Sequence, residues 1–343
     1  MENEFVLFWV KRCAQLQSVQ LMRGNATTAL PQLRQSLLSW YDQNRRDLPW
    51  RKTRDAYRVW VSEIMLQQTR VAAVLPRYEN FLERFSSVEK LAKAREASVL
   101  AEWSGLGYYR RARNLHAAAR IVARAGAFPQ NAEAWRELPG IGRYTAAAVS
   151  SIASDEPVAV LDGNVERVLL RLHGKLGTSA QRWRAAQKLL DHTRPGDFNQ
   201  SMMELGAMVC VPGQPICSQC PIQRFCQTRG RGISISRKPR QQKREIAYCL
   251  AQSNGSVRLV RRPKSATLMP SMWELPPCAK TSDSDTVLFS IRHSITNTDY
   301  TVRVIQLGSP LRTRGLWVKA ARAEQLPLTG LARKILCKAG IIL

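Results

Sequence analysis

Residues 138–164, LPGIGRYTAAAVSSIASDEPVAVLDGN, confine the chain to few folds. Gly140 and Gly142 stand one residue apart and open a small-residue run from Thr145 to Ala153. Glycines at that spacing let a hairpin backbone pass close to another chain, with N–H groups left at the start of a helix. A nucleic-acid phosphate is a natural occupant of such a nest. The apolar run Val158 to Leu161 then delivers Asp162, twenty residues beyond Gly142. Two glycines alone fit any helix–turn–helix corner. A backbone anion site, a short helix, a loop and a carboxylate in succession grip a phosphate backbone and set one negative charge beside it.

The charge balance points the same way. The 343 residues carry 52 Lys and Arg against 26 Asp and Glu, a formal +26. That excess is the electrostatic footprint of a nucleic-acid binder. A membrane-surface protein is the other class with such a charge, but no sustained basic amphipathic helix and no long apolar span is present. The patch Phe5 to Val10 is too short to span a bilayer, and Glu2 and Glu4 stand where a leader peptide carries positive charge. The expectation is a cytoplasmic monomer, nucleoid-associated when bound to DNA, with no membrane partner. Hydrophobic residues make up 45% of the chain, ample for packed cores, and the length calls for more than one domain.

Four of the eight cysteines fall within seventeen residues, as Cys210-x6-Cys217-x2-Cys220-x5-Cys226. Clustering in an apparently intracellular chain argues for metal rather than disulfides. Thiolates are soft ligands for zinc or iron–sulfur. Structural zinc sites usually present two short hooks around a longer loop; here one C-x2-C hook has a longer spacer on each side.

Taken in order, residues 1–30 read as a poorly ordered extension. Leu33 to Gln43 is apolar at helical spacing and leads into Asn44–Arg51, where arginines and Trp50 interleave as phosphate contact and base stacking require. Tyr57 to Leu75 reads as one helix, broken by Pro76. Glu63 lies in its apolar stretch, where desolvation raises a carboxyl pKa toward the range of a general acid. The bland alternative is an exposed Glu63 paired with Arg70. Gln67, Gln68 and Thr69 form a polar triplet. Gly105 to His116 combines two glycines, two tyrosines and three arginines, a recipe for inserting a ring into a base stack; His116 itself reads as a helix-surface residue. Further helices are expected at 165–172, 180–192 and 198–208, and no strand between 31 and 230. Beyond a basic linker, 231–244, short alternating runs at 246–251, 257–261, 287–291 and 300–306 read as strands, with a closing helix at 330–339.

Together these motifs resemble the helix-hairpin-helix/Gly-Pro-Asp superfamily of DNA glycosylases, over residues 31–230. The cysteine spacing matches the 4Fe–4S loop of its endonuclease III and MutY-type members, so the resemblance implies a 4Fe–4S cluster on Cys210, Cys217, Cys220 and Cys226. Endonuclease III-like members keep a lysine two residues after the second hairpin glycine and form a Schiff base with it. Here that position is Tyr144, and without an amine the lyase step has no nucleophile. With Glu63 and the C-terminal domain, this identifies the chain as a member of the MutY-type adenine DNA glycosylases. The implied fold is mainly α: a two-lobed glycosylase domain (31–230) with its iron–sulfur loop (210–226), plus a Nudix-like α+β domain (245–343).

The roles implied by the resemblance are specific. Glu63 protonates adenine, Asp162 meets the sugar cation, Asn164 orients Asp162, and Tyr144 lies near the sugar. Arg46, Leu48, Trp50, Arg51, Val71 and Glu204 line the adenine pocket. Gln68, Thr69 and Tyr108 flank the 8-oxoguanine, and Gly140 and Gly142 grip DNA. The partner is duplex DNA with an 8-oxoguanine·A or G·A mispair. The physics agrees: an N-glycosidic bond to adenine breaks when one carboxyl is kept protonated and another ionised, and the base must leave the stack to be reached. In the C-terminal domain Met269–Pro276 marks the Nudix-like reader. No Nudix carboxylate helix is present, so no pyrophosphatase activity is expected. Where the family commonly has Phe-Ser-His, this chain has Ile295-Thr296-Asn297; a hydroxyl and an amide remain. The competing readings are a bifunctional endonuclease III-like glycosylase/lyase and a non-catalytic iron–sulfur DNA-binding protein.

Overall fold

The computed structural model describes residues 26–231, 242–278, 285–295, 297–306 and 315–342. Residues 1–25 of the expected extension, 232–241 of the expected linker and Thr296 lie outside the described residues. The helices of the N-terminal part are α1 (Ala26–Asn44), α2 (Ala56–Leu66), α3 (Val71–Arg84), α4 (Val88–Lys93), α5 (Glu96–Glu102) and α6 (Arg110–Ala125). They are followed by α7 (Ala132–Arg136), α8 (Arg143–Ala153), α9 (Gly163–His173), α10 (Ser179–Leu189) and α11 (Pro195–Met208). No strand occurs among described residues 26–231, as expected.

The chain divides into two compact units. The first takes its described residues from Met1–Asp47, Gln130–Arg136 and Ile141–Ile235, the second from Leu48–Pro129, Glu137–Gly140 and Ser236–Leu343. In the first, Leu37, Ala148, Val160, Leu169, Leu190, Phe198 and Leu205 make a buried core shared by α1 and α8–α11. Two glycines set the helix spacing there. A Cβ on Gly206 would stand 2.7 Å from Asn164 Cβ, and one on Gly196 only 2.5 Å from the Ser151 carbonyl.

In the second unit, Trp60, Phe81, Leu91, Trp103 and Leu115 are fully buried, with Phe81 and Trp103 edge to face at 5.9 Å. The stretch expected as one helix, 57–75, is two. Asp55 caps α2 by accepting from Arg58 N at 2.8 Å. The helix ends at Leu66, because Gln67 is extended (ψ 113°) and Gln68 left-handed (φ 53°). Pro76 sits inside α3 rather than stopping it. His116 is buried, not on the surface, and burial pushes its pKa down.

The remaining elements are β1 (Gln242–Cys249), β2 (Gln252–Ser253), β3 (Ser256–Arg261), β4 (Trp273–Glu274), β5 (Thr286–Ile295), β6 (Thr298–Gln306), β7 (Leu316–Lys319), α12 (Ala320–Glu324) and α13 (Gly330–Lys338). One sheet runs β1-β6-β5, with β1 parallel to β6 and β5 antiparallel to it. In the other, β3 pairs antiparallel with β2, β4 and β7. Val257, Leu259, Val302 and Val304 of the strands share one core with Ile335 and Leu336 of α13. These elements are tied to the α5–α6 loop and the first turn of α6 in the same unit. Tyr109 Oη donates to Leu328 O at 3.1 Å, Arg333 Nε to Ser104 Oγ at 2.7 Å, and Arg113 Nη2 to Pro270 O at 2.6 Å.

Candidate active site

The hairpin is built as its glycines require. Gly140 is left-handed (φ 78°), and a Cβ there would fall 2.6 Å from the Asn114 side chain, so only glycine fits. Gly142 is the N-cap of α8, supplies no side-chain hydrogen bond to it, and is exposed. The partial positive charge of a helix start is thus presented on backbone alone. Arg143, the first residue of α8, stacks its guanidinium 3.9 Å from the Trp183 ring centroid. Tyr144 is half-buried and donates to Met203 Sδ at 3.1 Å.

Asp162 is the N-cap of α9, and its two oxygens have different partners. Oδ1 accepts from Asn164 N at 3.0 Å and Val165 N at 2.7 Å; Oδ2 accepts from Asn164 Nδ2 at 2.9 Å. Asn164 Oδ1 in turn accepts from Arg167 Nη2 at 2.8 Å. Arg167 is anchored by donating to Cys210 O at 2.8 Å and Gly206 O at 2.7 Å. Sequence reasoning passed over Arg167; the available signal was its place one helical turn after Asn164. Burial raises the Asp162 carboxyl, while its bonds from Val165 and Asn164 and the charge of Arg167 pull it back.

Glu204 is fully buried in α11, and the first unit brings Arg46 to it. Arg46 Nε donates to Glu204 Oε1 at 2.8 Å, Nη2 to Oε2 at 2.6 Å, and the Arg46 backbone N to Oε1 at 3.0 Å. The hydrogen bond to Glu204 holds the Arg46 guanidinium above its ordinary pKa. The other expected pocket residues belong to the second unit. Leu48 and Trp50 are buried, Trp50 edge to face with Tyr78 at 5.2 Å; Arg51 and Val71 are half-buried.

Glu63 lies on α2 and is only 6% exposed, so it is not the exposed surface residue of the bland alternative; Arg70 is exposed. After α2, Gln68 is exposed and Thr69 half-buried. Tyr108 is left-handed (φ 46°) and 48% exposed, the ring presented by the α5–α6 loop. Asn297 is exposed at the β5–β6 turn, its carbonyl accepting from Gln242 N at 2.9 Å. Glu63 and Asp162 belong to different units, each held by its own helix.

The four cysteines lie on one loop after α11, and none is in a disulfide. Arg171, 4% exposed, points Nη1 at Cys210 Sγ (3.3 Å) and donates to Val211 O and Gly213 O. Cys226 Sγ donates to the Arg171 carbonyl at 3.3 Å. Burial pushes the Cys220 thiol up to about 11, and Cys210, Cys226 and Cys217 add to the rise. Burial and the nearby Cys226 and Cys210 likewise raise Cys217. Four thiols on one loop, with the buried Arg171 guanidinium 3.3 Å from Cys210 Sγ, are soft donors of the type that thiolate-held metal groups use. Among the described residues no three ligand side chains are grouped as a single metal ion requires. No helix of the described residues is long and apolar enough to cross a membrane.

Comparison with known proteins extends this geometry. A family described as HhH-GPD superfamily base excision DNA repair protein matches residues 61–192. Adenine DNA glycosylase of Homo sapiens is 47% identical over 236 residues, which take in 64% of this chain and 43% of that protein. The chain thus spans less than half the length of that relative. Among solved structures, a thermostable thymine-DNA glycosylase is 30% identical with a TM-score of 0.55, covering 59% of this chain and 97% of the other. A trapped endonuclease III–DNA covalent intermediate shares the fold at 20% identity and a TM-score of 0.50, over 57% of this chain and 92% of its own.

Proposed function

This chain belongs to the HhH-GPD superfamily of base excision DNA repair proteins, and on that premise we propose that it is a monofunctional adenine DNA glycosylase. Its substrate is adenine mispaired with 8-oxoguanine or G in duplex DNA, on which it works as a monomer. The observation that carries the reading is the Asp162 site. A half-buried carboxylate is held by three donors on an α9 cap, after a hairpin whose lysine position is Tyr144. The 47% identity to the human adenine enzyme supports adenine as the base removed.

In this reading Glu63 supplies the proton that turns adenine into a leaving group. Its burial keeps water from competing for that proton. Asp162, all of whose hydrogen bonds are received, faces the sugar as positive charge develops there. Asn164 keeps Asp162 oriented. Tyr144 offers no amine, so no Schiff base forms and the strand stays intact after excision. Arg46 fixes Glu204 at the pocket wall. Backbone N–H groups at Gly142 and the α8 start take a phosphate. Cys210, Cys217, Cys220 and Cys226 would hold a 4Fe–4S cluster, whose contribution is to pin this basic loop rather than to take part in bond cleavage. The C-terminal sheets form a Nudix-like 8-oxoguanine reader without pyrophosphatase activity, and Asn297 and Thr296 are its reading residues.

The test is a duplex panel with A placed opposite 8-oxoguanine, G, C and T, each with and without alkali, together with T opposite G. Adenine release opposite 8-oxoguanine and G, with strand breaks only after alkali, is the expected result. Breaks without alkali would establish the bifunctional reading. Release of T opposite G alone would make thymine, not adenine, the base removed. Tight binding without release would leave a non-catalytic DNA-binding protein.

A further inference from the structure

The end of α2 is unusual for a helix terminus. The last carbonyls of a helix have no partner within it and are usually met by a glycine-type cap. Here Gln67 and Gln68 follow Leu66, whose carbonyl accepts from Thr69 N at 3.2 Å, and the carbonyls before it are met from α6. Arg111 Nη1 donates to Ile64 O at 2.8 Å and to Met65 O at 2.9 Å, the two residues after Glu63. Its other terminal nitrogen bridges the turn after α2 and the α5–α6 loop. Nη2 donates to Thr69 Oγ1 at 2.9 Å, Leu106 O at 3.0 Å and Gly107 O at 3.3 Å.

The loop so held is a conformation the chain would not keep unaided. Gly105 (φ 92°), Gly107 (φ 68°) and Tyr108 (φ 46°) are all left-handed, and tyrosine there is strained. Both ends of the loop are tied to C-terminal elements of the same unit, Ser104 by Arg333 and Tyr109 by Leu328. Between these ties the Arg111 guanidinium lies 5.5 Å from the Tyr108 ring centroid and 5.5 Å from that of Trp103. Burial lowers its pKa to about 10, so it remains a cation at neutral pH. A cation at a helix C-terminus is also favoured by the macrodipole.

We propose that Arg111 is a positioning residue that sets the placement of Glu63 and the posture of Tyr108 together, through Nη1 on the α2 carbonyls and Nη2 on the loop before Tyr108. The proposal rests on the reading of Glu63 as general acid and Tyr108 as the ring inserted beside the lesion. A displacement of the Tyr108 loop strips acceptors from Nη2 and turns the planar fork. Nη1 then leaves the Ile64 and Met65 carbonyls, and the turn of helix carrying Glu63 loses its cap. Insertion at the lesion and protonation of adenine are thereby completed in the same arrangement. Lysine cannot substitute: its ammonium is a compact point charge with three donors and no fixed fork, and it cannot span two segments.

The test is a double-mutant cycle on the holoprotein: parent, Tyr108→Ala, Arg111→Lys and the double variant. Single-turnover excision opposite 8-oxoguanine is read at saturating protein, with the duplex dissociation constant and a thermal melt measured beside it. Arg111→Lys is expected to lower the saturated rate about tenfold or more, with the dissociation constant within about threefold of the parent's, since interior acceptors and not DNA are lost. Tyr108→Ala is expected to cost at least fivefold less in the Arg111→Lys background than in the parent. Additive losses overturn the proposal. So does a parental rate, and so does a rate that falls only in step with binding and melting, which marks a merely structural residue. If Arg111→Lys does not fold, Arg111→Gln takes its place in the cycle. If the parent excises adenine from no mispair, the function reading fails by itself. Amide exchange then decides the coupling: residues 66–69 and 105–108 must quicken together in the variant, and a change in neither or in one alone overturns it.

Discussion

Gly206→Ala is the mildest change that should reach the chemistry without touching a reacting group. The new Cβ would stand 2.7 Å from Asn164 Cβ and 3.0 Å from the Asn164 carbonyl oxygen. Carbon atoms rest about 3.5–4.0 Å apart, so α9 and α11 must part by about 1 Å at this point. Asn164 is the residue whose amide and backbone hold Asp162, and Arg167 is held by the Gly206 carbonyl itself. The displacement is therefore delivered to the carboxylate. A misplacement of about 1 Å can cost on the order of 100-fold in rate. Stability should suffer much less. Overpacking costs about 1–3 kcal/mol, and alanine returns up to about 1 kcal/mol of helix propensity, leaving a melt lower by a few degrees. Single-turnover excision beside a thermal melt reads both. Gly196→Ala serves as the comparison, because its Cβ would strike Ser151 O at 2.5 Å, near the far end of α8 from Tyr144. It should melt lower than Gly206→Ala and excise within a few-fold of the parent. A Gly206→Ala protein that melts a few degrees low and still excises at the parental rate would refute the argument that Asn164 packing positions Asp162.

Three further outcomes are expected. Glu63→Gln keeps shape and removes the proton donor, so single-turnover excision should fall by roughly 10²–10⁴-fold with mispair binding retained; a variant keeping more than about a tenth of the rate has lost less than about 1.4 kcal/mol of barrier, and the general-acid role is wrong. His116, His173 and His293 all have pKa values lowered by burial; their stabilising effect is complete above the unfolded value of about 6.5 and lost as pH falls through the folded values, so the melting temperature should fall from pH 7.5 to 5, and His116→Gln should flatten part of that slope. Cys217→Ser should lose iron and sulfide on elemental analysis and leave residues 210–226 open to protease, whereas purified parent with zinc and no iron would overturn the cluster.

How far the sequence carried the reading depends on where the information sits. The hairpin glycines and the carboxylate after the 158–161 run are local features, and the structure has Gly140 left-handed before α8 and Asp162 at the start of α9; the four cysteines share one loop, but among the described residues they are not gathered into a ligand group. The break after Leu66 was not legible. Gln67, Gln68 and Thr69 are not helix breakers, and the group that meets the exposed carbonyls is Arg111, more than forty residues on. The Arg46–Glu204 pair joins residues 158 apart; its members were named from the resemblance, but nothing in the local pattern of either predicts the other. Residue 116 alternates between faces of α6 that only the packing distinguishes, and His116 fell on the inner one.

Asp162 shows why a site of this kind is kept at a cost to the fold. Burial raises its carboxyl above the ordinary carboxylate range. A group whose folded pKa is raised contributes its stability below the unfolded pKa and loses it as pH rises through the folded one. At neutral pH the ionised Asp162 therefore weighs against folding, and its three received hydrogen bonds return only part of that. The same bonds make both oxygens acceptors, which is the state that meets a sugar cation. Asp162→Asn removes the charge but inserts an amide that cannot accept at both positions, facing either Asn164 Nδ2 or two backbone N–H groups. Asn164 cannot turn to relieve it without presenting its own amide to Arg167. The expected result is excision down by two or more orders of magnitude. The melting difference between variant and parent should shift in the variant's favour as pH rises from about 4 to about 7. Melts of both proteins over that range decide it. A melting difference that stays constant with pH would mean that Asp162 does not titrate within the fold as its burial requires.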